Sequence, residues 1–167
     1  MPGIAIVMGS SSDWEKVDPA IKLCRRFQLQ FTVTVASAHR SPELVEKLIQ
    51  EWEEKDVQII IAVAGKAAHL PGVIASKTLI PVIGVPISAS ALSGQDALYS
   101  IVMMPPGVPV ASVGIDDVKN AVILAAQIIA LQSPEIKKEL EAFRNDWHNK
   151  IKDDNDFISS YLEKDDS

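Results

Sequence analysis

Five short apolar runs recur along the chain, and helical spacing appears in the stretches between them. The runs are GIAIVM at 3–8, FTVTVA at 31–36, VQIIIAV at 57–63, IPVIGV at 80–85 and VPVASV at 108–113. Largely unbroken apolar runs of this length predict strands buried on both faces, as in parallel sheets covered by helices on either side. Between the first three runs, Trp14, Val17, Ile21 and Cys24 fall at intervals of 3, 4 and 3, while Leu44, Val45, Leu48, Ile49 and Trp52 form a wider stripe. Each pattern marks one apolar face of a helix. Strand–helix alternation implies right-handed crossovers, and so a three-layer α/β domain. The expected sheet is parallel, of about five strands with helices on both faces, in the flavodoxin-like order or a near relative.

Local signals place the helix starts. Ser12 with Glu15, and Ser93 with Asp96, have capping-box spacing, and Ser41 precedes Pro42 as a cap followed by proline in the first turn. Pro19 falls inside the first helix, where its missing N–H is expected to kink or shorten the element. After the last strand, Ile136, Leu140, Phe143, Trp147 and Ile151 repeat every 3 or 4 residues on an otherwise charged stretch. This predicts an extra C-terminal helix, 133–163, appended to a core at 3–131. Its narrow stripe is expected to pack across a neighbouring subunit, with packing on its own domain as the alternative. The closing KDDS is expected to fray. At 167 residues and 47% hydrophobic content, residues 1–167 are read as one domain with one sizeable core.

Charge narrows the partners. A formal net charge of −6 argues against a nucleic-acid surface, which needs Lys and Arg unmatched by carboxylates, so any anionic ligand must be held locally. The one cysteine, Cys24, cannot form an intrachain disulfide, which suits a reducing compartment. The N-terminus lacks a basic n-region, and no apolar run approaches the roughly 18 residues that span a bilayer. A cytoplasmic protein with no membrane partner is expected.

In sheets of this kind ligands bind beyond the carboxyl ends of the strands, so the loops there carry the functional reading. In MGSSSDW, Gly9 allows a sharp turn, and Ser10, Ser11 and Ser12 present hydroxyls beside the free N–H groups of a helix start, a setting suited to phosphate. The same serines serve equally well as a plain cap. Asp13 repels a dianion and suits sugar hydroxyls better, although a carboxylate in a first helical turn also answers the helix dipole. In SAHRSP, His39 can give or take a proton near neutral pH, and Arg40 is a planar cation able to grip phosphate or carboxylate. In AGKAAHLPG, Gly65 and the alanines permit close backbone approach to a ligand, His69 is a second proton carrier, and Leu70, Pro71 and Gly72 shape a turn into the next helix. A fourth loop, PISASALSGQD, adds small residues able to wall a planar ring.

Several chemistries lack their signatures. There is no G-x-x-x-x-G-K-[ST] and no G-x-G-x-x-G, so ATP and dinucleotides lose their usual motifs. A Ser-His-Asp hydrolase lacks the G-x-S-x-G elbow, and no pair among His39, His69 and Asp13 has metal-ligand spacing on one element. Two classes stay open from the residues alone: an enzyme moving a proton on an acidic substrate, and a flavodoxin-like module that binds a sugar phosphate without chemistry.

In order along the chain, VMGSSSDW, SAHRSP, AGKAAHLPG, IPVIGVPISASALSGQDALYSIVMMPPGVPVA and NAVILAAQI resemble the blocks of the PurE enzymes of purine (IMP) biosynthesis, specifically the class I mutases. The resemblance covers residues 3–131. It implies isomerisation of N5-carboxyaminoimidazole ribonucleotide to 4-carboxy-5-aminoimidazole ribonucleotide, with no metal, ATP or organic cofactor. It further implies that Ser10, Ser12, Asp13 and Arg40 hold the ribose phosphate, that His39 shuttles the proton, and that the loop around Gly65 and His69 closes over the base. On this likeness the catalytic pair is His39 and His69, and the substrate-binding set extends to Ser37, Lys66, Ala68 and Leu70. A homo-octamer with shared sites is implied as well.

Two positions depart from the family pattern: Lys66 stands where the mutases usually carry glycine, and Met103 where they carry glutamine. The Lys66 ammonium is able to grip carboxylate or phosphate, or to point into solvent. The related class II carboxylases, which use carbon dioxide and aminoimidazole ribonucleotide, place a basic residue near this position. Arg40 and His69 favour the mutase.

Overall fold

The apolar runs pair with one another into one sheet. The computed structural model describes residues 3–165. Strands β1 (Gly3–Met8), β2 (Gln30–Val35), β3 (Val57–Gly65), β4 (Val82–Ile87) and β5 (Ala111–Ser112) are parallel and lie in the order β2-β1-β3-β4-β5. They are joined and followed by α1 (Trp14–Arg26), α2 (Pro42–Glu54), α3 (His69–Ala75), α4 (Gln95–Val102), α5 (Val118–Ile129) and α6 (Pro134–Asp165). This is the expected α/β flavodoxin-like fold.

Successive side chains of a strand point to opposite faces, and the two cores follow from that. Ile4, Ile6 and Met8 join Ile59, Ile61 and Val63 against α1, α5 and the start of α6. Ala5 and Val7 join Ile60, Ala62 and Ala64 against α2, α3 and α4. Each fully buried isoleucine in these layers contributes roughly 1.5–3 kcal/mol by leaving water.

The outer strands differ from the sequence reading. β2 is the sheet edge and is half-exposed along its length, because only Phe31 and Val33 reach a core. β5 contracts to two residues paired with Ile83 and Gly84, since Pro105, Pro106 and Pro109 before it cannot donate to a ladder.

Helix ends differ too. α1 runs through Pro19 without shortening; the Glu15 carbonyl that loses its donor belongs to an exposed residue, open to water. Neither capping box forms. Ser10, not Ser12, caps the 3₁₀ turn at Ser11–Asp13 that precedes α1, and left-handed Gly94 occupies the cap of α4. Ser41 does precede Pro42 at the start of α2, but its hydroxyl makes no cap bond. Leu70, Pro71 and Gly72 lie inside α3 rather than in a turn before it, and Gly72 leaves room for the Met104 sulfur, which an added Cβ would meet at 3.1 Å.

α6 divides the predicted stripe. Ile136 and Leu140 are buried in the core shared with α1 and α5, and Phe143 packs edge-on against Phe27 with ring centroids 5.4 Å apart. Arg26 also pairs with Asp146 and stacks over Phe143. From Trp147 onward the apolar side chains Ile151, Phe157, Ile158, Tyr161 and Leu162 are exposed. Of the closing KDDS, Lys164 and Asp165 continue the helix, and residues 166–167 lie outside the described part.

Candidate active site

The chain leaves β1 for β2 on one side and returns to β3 on the other, so the loops after β1 and β3 run to opposite faces and leave a crevice at the strand ends. The Gly9 N–H donates to the Val63 carbonyl at 3.1 Å, tying the end of β1 to β3. Gly9 itself has no left-handed backbone, and a Cβ there would meet only Val63 O at 3.9 Å, so no sharp turn depends on it. A pocket of about 540 Å³ opens at this point.

Every site residue named from the sequence borders that pocket: Ser10, Ser12 and Asp13 after β1; Ser37, His39 and Arg40 after β2; Gly65, Lys66, Ala68, His69 and Leu70 after β3. Ala68 and Leu70 are at the same time buried members of the core beneath. Ala38, Ala64, Ala67 and Ala89 complete the wall. Ala89 comes from the small-residue loop after β4, and Ala64 and Ala67 are among the alanines of AGKAAHLPG, whereas Ala38 carries no sequence signal of its own. Met103 stands apart, exposed at the end of α4.

Hydrogen bonds fix the first two loops. The Ser10 hydroxyl accepts from the Ser12 hydroxyl at 2.8 Å and from the Ser12 N–H at 3.3 Å. The Ser41 hydroxyl accepts from the Ser37 N–H at 3.0 Å and donates to the Ser37 carbonyl at 3.2 Å, so Ser41 braces the loop. Within that brace the Arg40 N–H donates to the Ser37 hydroxyl at 3.2 Å, and the guanidinium reaches across to the Gly9 carbonyl at 3.0 Å. The second loop is thereby held against the first.

The two histidines meet between the second and third loops. His39 Nε2 lies 2.6 Å from His69 Nδ1, with the rings 4.8 Å apart and inclined at 61°. At that separation one nitrogen donates and the other accepts, so the rings share a single bridging proton and leave His39 Nδ1 and His69 Nε2 as their outer nitrogens.

Carboxylates shape the rear of the pocket. Asp13 is buried, and burial pushes its carboxyl above the ordinary value against the opposing pull of the Ser12 hydroxyl, Lys16 and the Ser10 backbone. Behind it, Lys16 Nζ donates to Asp116 at 2.6 Å and to the Ser88 hydroxyl at 2.7 Å, while the Ser88 N–H donates to Asp116 at 2.9 Å. Partial burial raises the Asp116 carboxyl, but these bonds outweigh it and hold the group below its ordinary value. This network ties α1 to the loops after β4 and β5 across about a hundred positions, and no local sequence pattern announces it.

The third loop is built from unusual backbone. The Ala68 N–H closes on the Gly65 carbonyl at 3.1 Å, which sets Lys66 at the first corner of the turn with φ 57° and leaves Ala68 left-handed at φ 36°. Left-handed backbone costs a residue with a side chain about 1–2 kcal/mol. Packing requires Gly65: a Cβ there would meet the Ala89 Cβ at 2.8 Å.

Among the described residues no three His, Cys, Asp or Glu side chains come together as a metal site, and no helix is long and apolar enough to cross a membrane. The buried Cys24 thiol lies away from the pocket in α1, and burial pushes it up to about 12.

Known proteins give this geometry its relatives. Residues 3–150 match the AIR carboxylase family. An N5-carboxyaminoimidazole ribonucleotide mutase of Pyrococcus abyssi is 51% identical over 146 residues, covering 87% of this chain and 84% of its own. The protein of the same name from Escherichia coli is 48% identical over 146 residues, covering 86% and 84%. The crystal structure of Treponema denticola PurE superposes with a TM-score of 0.86 at 29% identity, covering 93% of this chain and 98% of that one. With residues 3–150 matched by the family and about half of the residues identical to these mutases over most of its length, the chain belongs to the AIR carboxylase family.

Proposed function

We propose that the chain isomerises N5-carboxyaminoimidazole ribonucleotide to 4-carboxy-5-aminoimidazole ribonucleotide in purine (IMP) biosynthesis. The observation that carries this reading is the histidine pair, 2.6 Å apart, in one pocket with the serine turn and Arg40. An anionic tail and a proton carrier are what this substrate needs. Ser10, Ser12 and Arg40 hold the phosphate, Asp13 accepts from the ribose hydroxyls, Ser37 orients Arg40, and the Gly65–Leu70 segment covers the base.

The chemistry then follows from proton placement. The bond between the exocyclic nitrogen and the carboxylate carbon breaks, carbon dioxide leaves, and the nitrogen takes a proton from His39. The ring carbon attacks the retained carbon dioxide, forming the new C–C bond, and its proton returns to His39. His69, hydrogen-bonded to His39 Nε2, leaves His39 Nδ1 as the nitrogen that exchanges the proton with the substrate. Such acid–base help is worth about 10²- to 10⁴-fold, and keeping the gas in place needs a closed pocket that excludes bulk water. No metal, ATP or organic cofactor enters these steps.

The enzyme acts in the cytoplasm as an octamer with no nucleic-acid or membrane partner. The unpartnered apolar stripe from Trp147 to Leu162 supports contact between copies of the chain. The deciding experiment supplies purified protein, without ATP, with either the carbamate substrate or aminoimidazole ribonucleotide plus carbon dioxide. Faster conversion of the carbamate is expected. A preference for free carbon dioxide makes the chain a carboxylase, and no conversion of either leaves a sugar-phosphate-binding module.

A further inference from the structure

We propose that Lys66 recognises the substrate's carboxylate and so makes this site discriminate carboxylated from uncarboxylated aminoimidazole ribonucleotides. The inference deepens the function proposed above and rests on it.

The backbone is the first reason. Gln28 and Asp56 are also left-handed, but each sits just past a helix end, where such a residue closes the last turn, and Ala68 and Ser93 stand at the starts of α3 and α4, where the chain turns into a helix. Asp116 is left-handed and held by Lys16 and Ser88. Lys66 ends no helix, and among the described residues its ammonium has no hydrogen bond or ion pair with which to offset the conformation. Glycine suits that corner better on backbone grounds alone, and a lysine held there at the edge of a pocket points to use of its charge.

Charge placement is the second. Arg40 and Lys66 are the fixed cations that border the pocket, and they enter from β2 and β3, the strands flanking β1 on its two sides. Arg40 is committed to the loop that faces the serine turn, through Gly9 and Ser37. The substrate carries two separate anionic groups, a phosphate and a carboxylate. With the phosphate on Arg40 and the serines, the carboxylate falls to the loop that brings Lys66 beside the histidines.

The test measures binding of 4-carboxy-5-aminoimidazole ribonucleotide and of aminoimidazole ribonucleotide, which lacks the carboxylate, to the full chain by calorimetry. Lys66→Met and Lys66→Gly are each expected to weaken the carboxylated ligand about 5- to 20-fold, the range for a partly exposed charge-assisted contact, and to change the other less than about twofold. Glycine takes the left-handed corner freely, so Lys66→Gly melts at the wild-type temperature or above it and a binding loss cannot be laid to unfolding. Unchanged binding of both ligands, or equal weakening of both, overturns the assignment. Wild-type protein that binds both ligands without interconverting carboxylated forms removes the enzyme reading and leaves the Lys66 comparison intact; failure to bind either ligand removes both.

Discussion

The rim of the sheet and the outer half of α6 fold by opposite means. The rim is irregular: two loops braced internally by Ser10, Ser37 and Ser41 and tied to each other by Arg40, and a third joined to the second through His39 and His69, with left-handed corners at Lys66 and Ala68. The outer half of α6 is regular, a helix continuing to Asp165 whose apolar side chains from Trp147 to Leu162 stay exposed. In the rim, geometry is fixed beyond what stability requires, and strain is tolerated. In the helix, local structure is complete and the packing is left unfinished. Fixed irregular loops suit chemistry, whereas a regular element with a bare face suits association.

The largest effect expected separates chemistry from stability. His39→Asn should cut turnover of the carbamate substrate by about 10²- to 10⁴-fold, because it removes the proton carrier. His39 is exposed and among the described residues its one side-chain hydrogen bond is to His69, so the melting temperature should stay within about 2 °C of wild type, as for other surface changes. A drop in stability as large as that of a core mutation would mean that the rim holds the fold together, and the contrast with α6 would lose its basis.

The next effect divides α6 itself. Leu140→Ala empties a site in the core shared with α1 and α5 and should cost about 2–3 kcal/mol, the lower part of the range for buried leucine because the residue lies at the margin of that core. Ile151→Glu, three turns on, changes an exposed side chain and should leave the folding of the isolated subunit within about 0.5 kcal/mol. Its effect should appear in the mass measured by light scattering, which falls from that of an assembly toward that of one chain. Equal destabilisation by both changes would show the whole stripe to be covered by its own subunit.

These regions were legible in the sequence to different degrees, for physical reasons. The unbroken aliphatic runs around Ile6, Ile60 and Val85 read as central strands because burial on both faces leaves no room for polar alternation. FTVTVA read the same way and proved to be the edge, since β-branched Thr and Val suit a strand whichever side is covered. Serine–carboxylate spacing at Ser12 and Glu15, and at Ser93 and Asp96, suggested caps, whereas Ser10 and Gly94 hold those positions. In the site, SSSD, AHR and AAH each marked a loop end, but the meeting of His39 with His69 and the Lys16–Asp116–Ser88 network depend on strand order and cannot be read from spacing. For α6, periodicity showed that a face would be buried and not what would bury it.

The smallest effect lies inside the rim, at Asp13, and its sign is opposite to that of a core mutation. Burial raises the Asp13 carboxyl above its unfolded value near 3.8, so the folded chain holds that proton more tightly than the unfolded chain does. Below 3.8 both states are protonated and Asp13 costs nothing. As pH rises above 3.8 the unfolded chain gives up its proton first, so the penalty grows until the folded carboxyl has ionised as well. Asp13→Asn removes the charge and keeps the shape. It also gives up any help to the dipole of α1, but Asp13 caps that helix without a side-chain hydrogen bond, so this loss is small. The variant should therefore melt about 1–3 °C higher than wild type at pH 7, with the gain shrinking as pH is lowered and gone near 3.8. Ribonucleotide binding should weaken in the same variant, because an amide accepts less strongly from ribose hydroxyls than a carboxylate does. A variant that melts lower at pH 7 would show that Asp13 holds the rim in place rather than being held there at a cost for the ligand.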